Sequence, residues 1–205
     1  MAQPKRSRKA VVADLPRQDI EKPKQIALLA APARQELIDT LESLGGEASV
    51  AALATHLGRP ADGLYYHLRL LVRGGLLEEL PDEGEGRRYR TRTAEGHRLR
   101  LKYAPGSNAK TAAVGRVTAS MLRIAGRDFD AALARPDTVT EGEWRELWAS
   151  RSKGWLGPDE LAEVNRLLGR VLELMHRPKG GDTDQLMSLA WVLSPLAAKP
   201  KRRGS

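Results

Sequence analysis

The 205-residue chain contains no cysteine and a single phenylalanine. The absence of cysteine excludes disulfides, thiolate metal sites and thiol nucleophiles, a usage that fits a reducing cytoplasm. No span approaches the roughly 20 consecutive apolar residues that a membrane helix requires. The short apolar run Ile26–Ala33 is interrupted by Pro32 and preceded by acids as well as lysines, so it reads as domain core and not as a signal peptide. The chain also lacks the marks of catalysis: a phosphate-cradling Gly-rich loop, a Gly-x-Ser-x-Gly elbow and a paired-histidine metal spacing. Ser150-Arg151-Ser152-Lys153 has a Ser-x-x-Lys spacing without the motifs that accompany it in hydrolases. His176 near Asp182 and Asp184 is accounted for by a cation at one helix end and an acidic cap at the next. The expectation is a protein that is not an enzyme and uses no cofactor and no metal.

A surplus of charge in the body of the chain is missing too. The net charge is +8, but Lys5, Arg6, Arg8 and Lys9 at one end and Lys199, Lys201, Arg202 and Arg203 at the other carry the whole excess. Residues 1–20 and 198–205 are therefore expected to be basic tails, the first disordered. They add nonspecific attraction to polyanions, or only solubility.

What the chain does have is helical punctuation. A first helix is predicted over Lys24–Ala30. A second runs from Pro32 to about Leu44, with Leu37, Ile38, Leu41 and Leu44 as its buried stripe and Gly45-Gly46 as its stop. Ser49 is a good N-cap for a third helix, in which Val50, Leu53, Ala54 and Leu57 share one face. After Gly58-Arg59 a fourth helix starts at Pro60, turns Leu64, Leu68, Leu71 and Val72 inward, and stops at Gly74-Gly75. Leu76–Leu80 and Arg87–Thr91 read as strands joined by the loop Pro81–Gly86. Alternation puts Arg88, Arg90 and Arg92 on one face of the return strand and Arg87, Tyr89 and Thr91 on the other. Thr93 is expected to cap a helix from Ala94 to about Tyr103, and Pro105-Gly106-Ser107-Asn108 marks the best internal boundary.

Beyond it the reading is all helical. A helix near Ala112–Ala134 carries apolar residues on more than one side, from Val114 and Val117 to Phe129 and Leu133. Glu143–Arg151 (with Trp144, Leu147 and Trp148), a helix opened by Pro158, and Asp184–Leu193 follow. Leu161, Val164, Leu168, Val171 and Met175 form a seam at alternating three and four spacing. The fold class is mainly α with a small β-hairpin: residues 21–104 form one domain and residues 110–197 a helical dimerisation or effector domain.

Over residues 24–102 the chain resembles the ArsR family of winged helix-turn-helix regulators. The residues that carry the resemblance are Leu29-Ala30-Ala31-Pro32-Ala33-Arg34, Leu37-Ile38, Leu41, Ala54 and Leu57, then Tyr66-His67-Leu68, Leu71, Gly75-Leu76-Leu77-Glu78 and Gly86-Arg87-Arg88-Tyr89-Arg90. The resemblance implies a dimer that sets two recognition helices into successive major grooves, with half-sites roughly 34 Å apart. Family members often have serine where Asp62 and Tyr65 stand here, so their operators do not transfer. With no cysteine and with His56, His67, His97 and His176 scattered, the metal-sensing role of some members gains little support.

The candidate DNA-binding residues are Arg59, Tyr65, Tyr66, Arg69 and Arg73 around the fourth helix, and Arg87, Arg88 and Arg90 on the hairpin. Arg69 has the geometry to bond a guanine edge bidentately, and the tyrosines to reach phosphate or a thymine methyl. The hairpin arginines suit phosphates or a narrow minor groove. The competing reading is an internal Arg–carboxylate pairing that locks the hairpin, and Asp82, Glu83 and Glu85 on the loop would repel DNA. Trp144, Trp148, Trp155 and Trp191, with Met121, Met175 and Met187, either line a cavity for a small-molecule effector or fill the helical core or a dimer seam. These expectations add up to a cytoplasmic, homodimeric, sequence-specific DNA-binding transcriptional regulator. The alternative is a winged-helix module that docks a protein partner and binds no DNA.

Overall fold

The computed structural model describes residues 17–82, 84, 86–93, 98–102, 108–177 and 181–196. Most of both tails, the loop acids Glu83 and Glu85, His97, the Pro105-Gly106-Ser107 boundary and the expected helix start at Ala94 lie outside the described residues.

The elements run β1 (Arg17–Ile20), α1 (Pro23–Leu28), α2 (Pro32–Ser43), β2 (Glu47–Ser49), α3 (Val50–Leu57), α4 (Ala61–Arg73), β3 (Leu77–Glu79), β4 (Arg88–Thr91), β5 (Arg98–Leu101), α5 (Asn108–Leu133) and α6 (Pro158–Met175). Both α1 and α2 open on a proline, whose missing N–H falls where a helix start has no partner to offer. Ser49 caps α3 as expected, its Oγ accepting from the Ala52 N–H at 3.1 Å, and Gly58 ends that helix in the left-handed region at φ +61°. Helix α4 buries Leu64, Leu68 and Leu71, the inward face its spacing predicts. These side chains meet Leu37, Ile38 and Leu41 of α2, Val50 and Leu53 of α3, and Leu76, Leu77 and Tyr89 of the sheet in one core.

The sheet has the order β2-β4-β3, antiparallel throughout. Leu77 pairs with Thr91 and Glu79 with Tyr89, which makes the expected hairpin, and β2 adds a third strand by pairing Glu47 with Arg90 and Ser49 with Arg88. Tyr89 and Thr91 are buried while Arg88 and Arg90 lie on the outer side, as alternation requires.

Several expectations are corrected. Residues 98–101 form a strand where the sequence predicts the end of a helix. Arg98-Leu99-Arg100-Leu101 alternates with period two and pairs in parallel with β1, from Arg17 opposite Arg98 to Ile20 opposite Leu101. That partner lies in the last four residues of the segment expected to be disordered, and Ile20 is buried in the core. An ion pair between Arg100 Nε and Asp19 Oδ1 at 2.6 Å crosses the two strands. In the C-terminal half the regular elements are all helices, but only α5 and α6 form among the described residues. Residues 143–151 and 184–193 are not helical. Around Trp144 the chain is drawn into a loop by the Glu146 N–H on the Val139 carbonyl (2.7 Å) and the Val139 N–H on Glu146 Oε2 (3.1 Å). So short an amphipathic segment needs something to pack against before it can hold a helix, and Trp144, Trp148 and Trp155 are 81 %, 71 % and 99 % exposed.

Helix α5 buries one strip, Ala113, Val117 and Ser120, and packs on α1 and α2. Leu122 and Leu133 remain exposed, so burial on several sides is not met within one chain. Helix α6 buries none of its residues. The chain is thus mainly α: a winged helix-turn-helix unit followed by a helical C-terminal part.

Candidate nucleic-acid interface

The turn between α3 and α4 is short because Gly58 takes a left-handed conformation and Pro60 leads directly into α4. It leaves one side of α4 free. Asp62, Tyr66, Arg69 and Arg73 are all exposed along that side, with Tyr65 half-buried at its margin. Arg69 and Arg73 stand one turn apart and have no carboxylate partner among the described residues. Tyr66 sits edge-on to His67, with ring centroids 5.3 Å apart. His67 itself is half-buried, and its Nδ1 has no hydrogen-bond partner among the described residues. Burial, followed by the nearby Arg34 and Arg59 charges, holds its pKa below the ordinary histidine value. It therefore stands as a neutral ring behind the exposed face.

Arg59 is placed differently from the other candidates. Its Nη2 bonds Glu36 Oε2 at 2.7 Å, and its side chain is 34 % exposed. Glu36 also accepts from Arg127 Nη2 of α5 through Oε1, at 2.5 Å. The carboxylate, only 10 % exposed, joins α2, the α3–α4 turn and α5 at one point.

The wing brings all three of its candidate arginines onto carboxylates. Arg88 Nη2 lies 2.5 Å from Glu47 Oε1, and Arg90 is bound by Glu78 on β3, with Nε at 2.7 Å from Oε1. Arg90 is also within 3.9 Å of Glu47, and Arg87 is 3.6 Å from Glu79. Arg87 stacks 5.7 Å over the Tyr65 ring, which ties the wing to α4. The internal pairing that competes with DNA contact is therefore present. Glu47 escapes a reading of the sequence because β2 has three residues and its register against β4 decides what Arg88 meets. Glu47-Ala48-Ser49 does alternate outward, inward, outward, and that faint pattern is the available signal.

Trp144, Trp148 and Trp155 are largely exposed, and Trp191 is partly so. An open groove of about 870 Å³ lies at the far end of α4, between α1 and the Gly74-Gly75 turn.

The family model of a helix-turn-helix domain matches residues 29–79. The match runs from the residues leading into α2 through β3, and so includes the whole of α4 but neither β4 nor the C-terminal helices. A search of curated proteins finds no match. Residues 29–79 are thus similar to a helix-turn-helix domain, and β3 with β4 forms the hairpin that follows it as a wing. Among the described residues no helix is long and apolar enough to cross a membrane.

Proposed function

We propose that this chain is a cytoplasmic transcriptional regulator of the ArsR-like kind, which binds double-stranded DNA sequence-specifically as a homodimer. The observation that carries the reading is the free side of α4: an amphipathic helix, correctly presented by a helix-turn-helix, whose Arg69 and Arg73 meet no carboxylate among the described residues. A major groove about 12 Å wide admits such a helix, and an arginine placed there discriminates guanine by roughly 1–3 kcal/mol. Tyr66, with Tyr65 at the margin, lies one turn before Arg69 on α4, within reach of phosphate or a thymine methyl.

The wing arginines take a different part. Exposed ion pairs are worth little, typically about 1 kcal/mol or less, so Arg88 and Arg90 can trade Glu47 and Glu78 for phosphates when the duplex arrives. Arg59, bound to Glu36, supports the turn and contributes least to DNA binding. An effector, where one acts, would shift the angle between paired DNA-binding units by binding one arrangement better than the other.

The test is recovery of a preferred duplex from a random-sequence pool, followed by two variants. Arg69→Ala is expected to relax base preference at one position of the selected site. Arg88→Ala is expected to weaken selected and random duplexes alike. A pool that yields no preferred sequence refutes the reading.

A further inference from the structure

The groove beyond α4 is lined by Lys22, Lys24, Arg73 and Arg92, together with Gln25, Leu28 and Gly74. The four cations come from three separate stretches of chain: the entry to α1, the last turn of α4 and the residue after β4. All four are exposed. Among the described residues no carboxylate lines the groove, and none of the four cations has an ion-pair partner. This is the reverse of the wing, where each of Arg87, Arg88 and Arg90 is already answered by a glutamate.

The convergence is built by close packing at the end of α4. Gln25 Nε2 donates to the Gly74 carbonyl at 2.9 Å and ties α1 to the helix terminus. A Cβ on Gly74 would lie 2.1 Å from the Leu28 side chain, so any larger residue there would force Leu28 to shift. Gly75, at φ +71°, then turns the chain into the sheet.

We infer that this groove holds backbone phosphates of the duplex whose major groove α4 enters. The inference rests on the DNA-binding reading above and extends its interface to Lys22, Lys24 and Arg92. Three arguments carry it. The groove is continuous with the free side of α4, because Arg73 belongs to both. Helix α4 has 13 residues and is about 20 Å long; a recognition helix reads base edges with its N-terminal residues, so its last turn, with Arg73, is left for the sugar–phosphate strand beside the groove. Finally, the groove is open and spread along the surface, which suits an extended polyanion better than a small anion that would need enclosing. The carbonyl end of α4 is unfavourable to phosphate by itself, and the four converging cations are what offsets it.

The experiment titrates the full-length protein against the selected duplex and a random-sequence duplex over a series of salt concentrations. The variants are Lys22→Gln/Lys24→Gln, Arg92→Gln and, as a charge control, Arg116→Gln on the exposed side of α5. Arg73 is left in place. Removing one phosphate-binding cation is expected to make the slope of log K against log salt shallower by about 0.9. The weakening is expected to be equal for both duplexes, with unchanged base preference, and the control is expected to keep the wild-type slope. Wild-type binding accompanied by wild-type slopes in both groove variants overturns this inference and leaves the α4 reading intact. Failure of the wild type to bind any duplex overturns both. A rise in Tm with inorganic phosphate that Lys22→Gln/Lys24→Gln abolishes, without a change in DNA slope, would make the groove a small-anion site and also overturns the inference.

Discussion

Glu36 and His67 show how single side chains fasten the helix-turn-helix from behind. The Glu36 carboxylate answers two guanidiniums, one at the α3–α4 turn and one on α5, and its burial between Arg59 and Arg127 is what makes its removal costly. Breaking a buried pair from one side costs roughly 3–5 kcal/mol. Arg59 and Arg127 are respectively 34 % and 51 % exposed, so both can turn partly to water. Glu36→Ala is therefore expected to cost about 2 kcal/mol, read as a lower urea midpoint at unchanged m-value. Unchanged stability would mean that the three-way junction is idle. His67 gives a pH dependence of definite sign. Its folded-state pKa is depressed by burial and by Arg34 and Arg59. The unfolded chain therefore takes up a proton first as pH falls through about 6.5. The contribution of the neutral ring is present above that pH and is lost as pH falls below it. His67→Gln is expected to flatten this part of the acid limb when unfolding is followed from about pH 7.5 to about pH 5. A wild-type slope in the variant would exclude His67 as the source.

At the scale of elements, the wing behaves as a neutral surface that DNA has to charge. Glu47 and Glu78 hold Arg88 and Arg90 across adjacent strands, and DNA phosphates must compete with them. Removing the competitor is expected to strengthen binding: Glu47→Gln should tighten every duplex several-fold and steepen the salt slope by up to about 0.9 for each arginine released. Weaker or unchanged binding in an anisotropy titration would show that the wing arginines lock the hairpin and do nothing else. The same strands mark where sequence reading succeeds and stops. Helices α3 and α4 are legible because a 3.6-residue apolar period is bracketed by strong local signals, Ser49 as cap and Gly58 and Gly74 as stops. The outward position of Arg88 and Arg90 follows from alternation alone. What the guanidiniums touch does not, because it depends on the register of β2, three residues drawn from about 40 positions earlier in the chain. Strands β1 and β5 are hidden for the same reason. Arg17 and Arg98 are far apart in sequence, and each strand has only four residues, too few for a pattern to stand out against a neighbouring helical one. The cationic groove joins three distant stretches through a Gly74–Leu28 approach that no periodicity announces. Around Trp144 the apolar spacing is real, but among the described residues Trp144 and Trp148 find little to pack against.

That unmet spacing bears on the whole molecule. Every buried apolar side chain among the described residues lies between Ile20 and Val117, and the C-terminal part adds none beyond α5. Helix α6 keeps Leu161, Val171 and Met175 exposed along one side, while Glu163–Arg166 and Arg170–Glu173 pairs run along its polar surface. Trp155 is almost wholly in solvent, and Trp144 and Trp148 are largely so. At roughly 150–250 Å² of buriable surface for each aromatic side chain, those three residues alone leave on the order of 500 Å² open. A stable interface needs about 800 Å² from each partner, and the exposed Leu161, Val171 and Met175 of α6, with Leu186, Met187 and Leu189, add to that area. Exposed apolar side chains in such number are what association covers, and a second copy would offer the same side chains in return, as a two-fold interface requires. Sedimentation is accordingly expected to give a dimer at micromolar concentration, with a Tm that rises with protein concentration. Val171→Asp with Trp155→Ser should yield a monomer, since both side chains are exposed in the single chain and neither supports its core. That monomer should still recognise one half-site through α4 but lose the preference for two half-sites spaced roughly 34 Å apart. A wild-type protein that sediments as a monomer at tens of micromolar, or a monomeric variant that still demands paired half-sites, would detach the C-terminal helices from dimerisation.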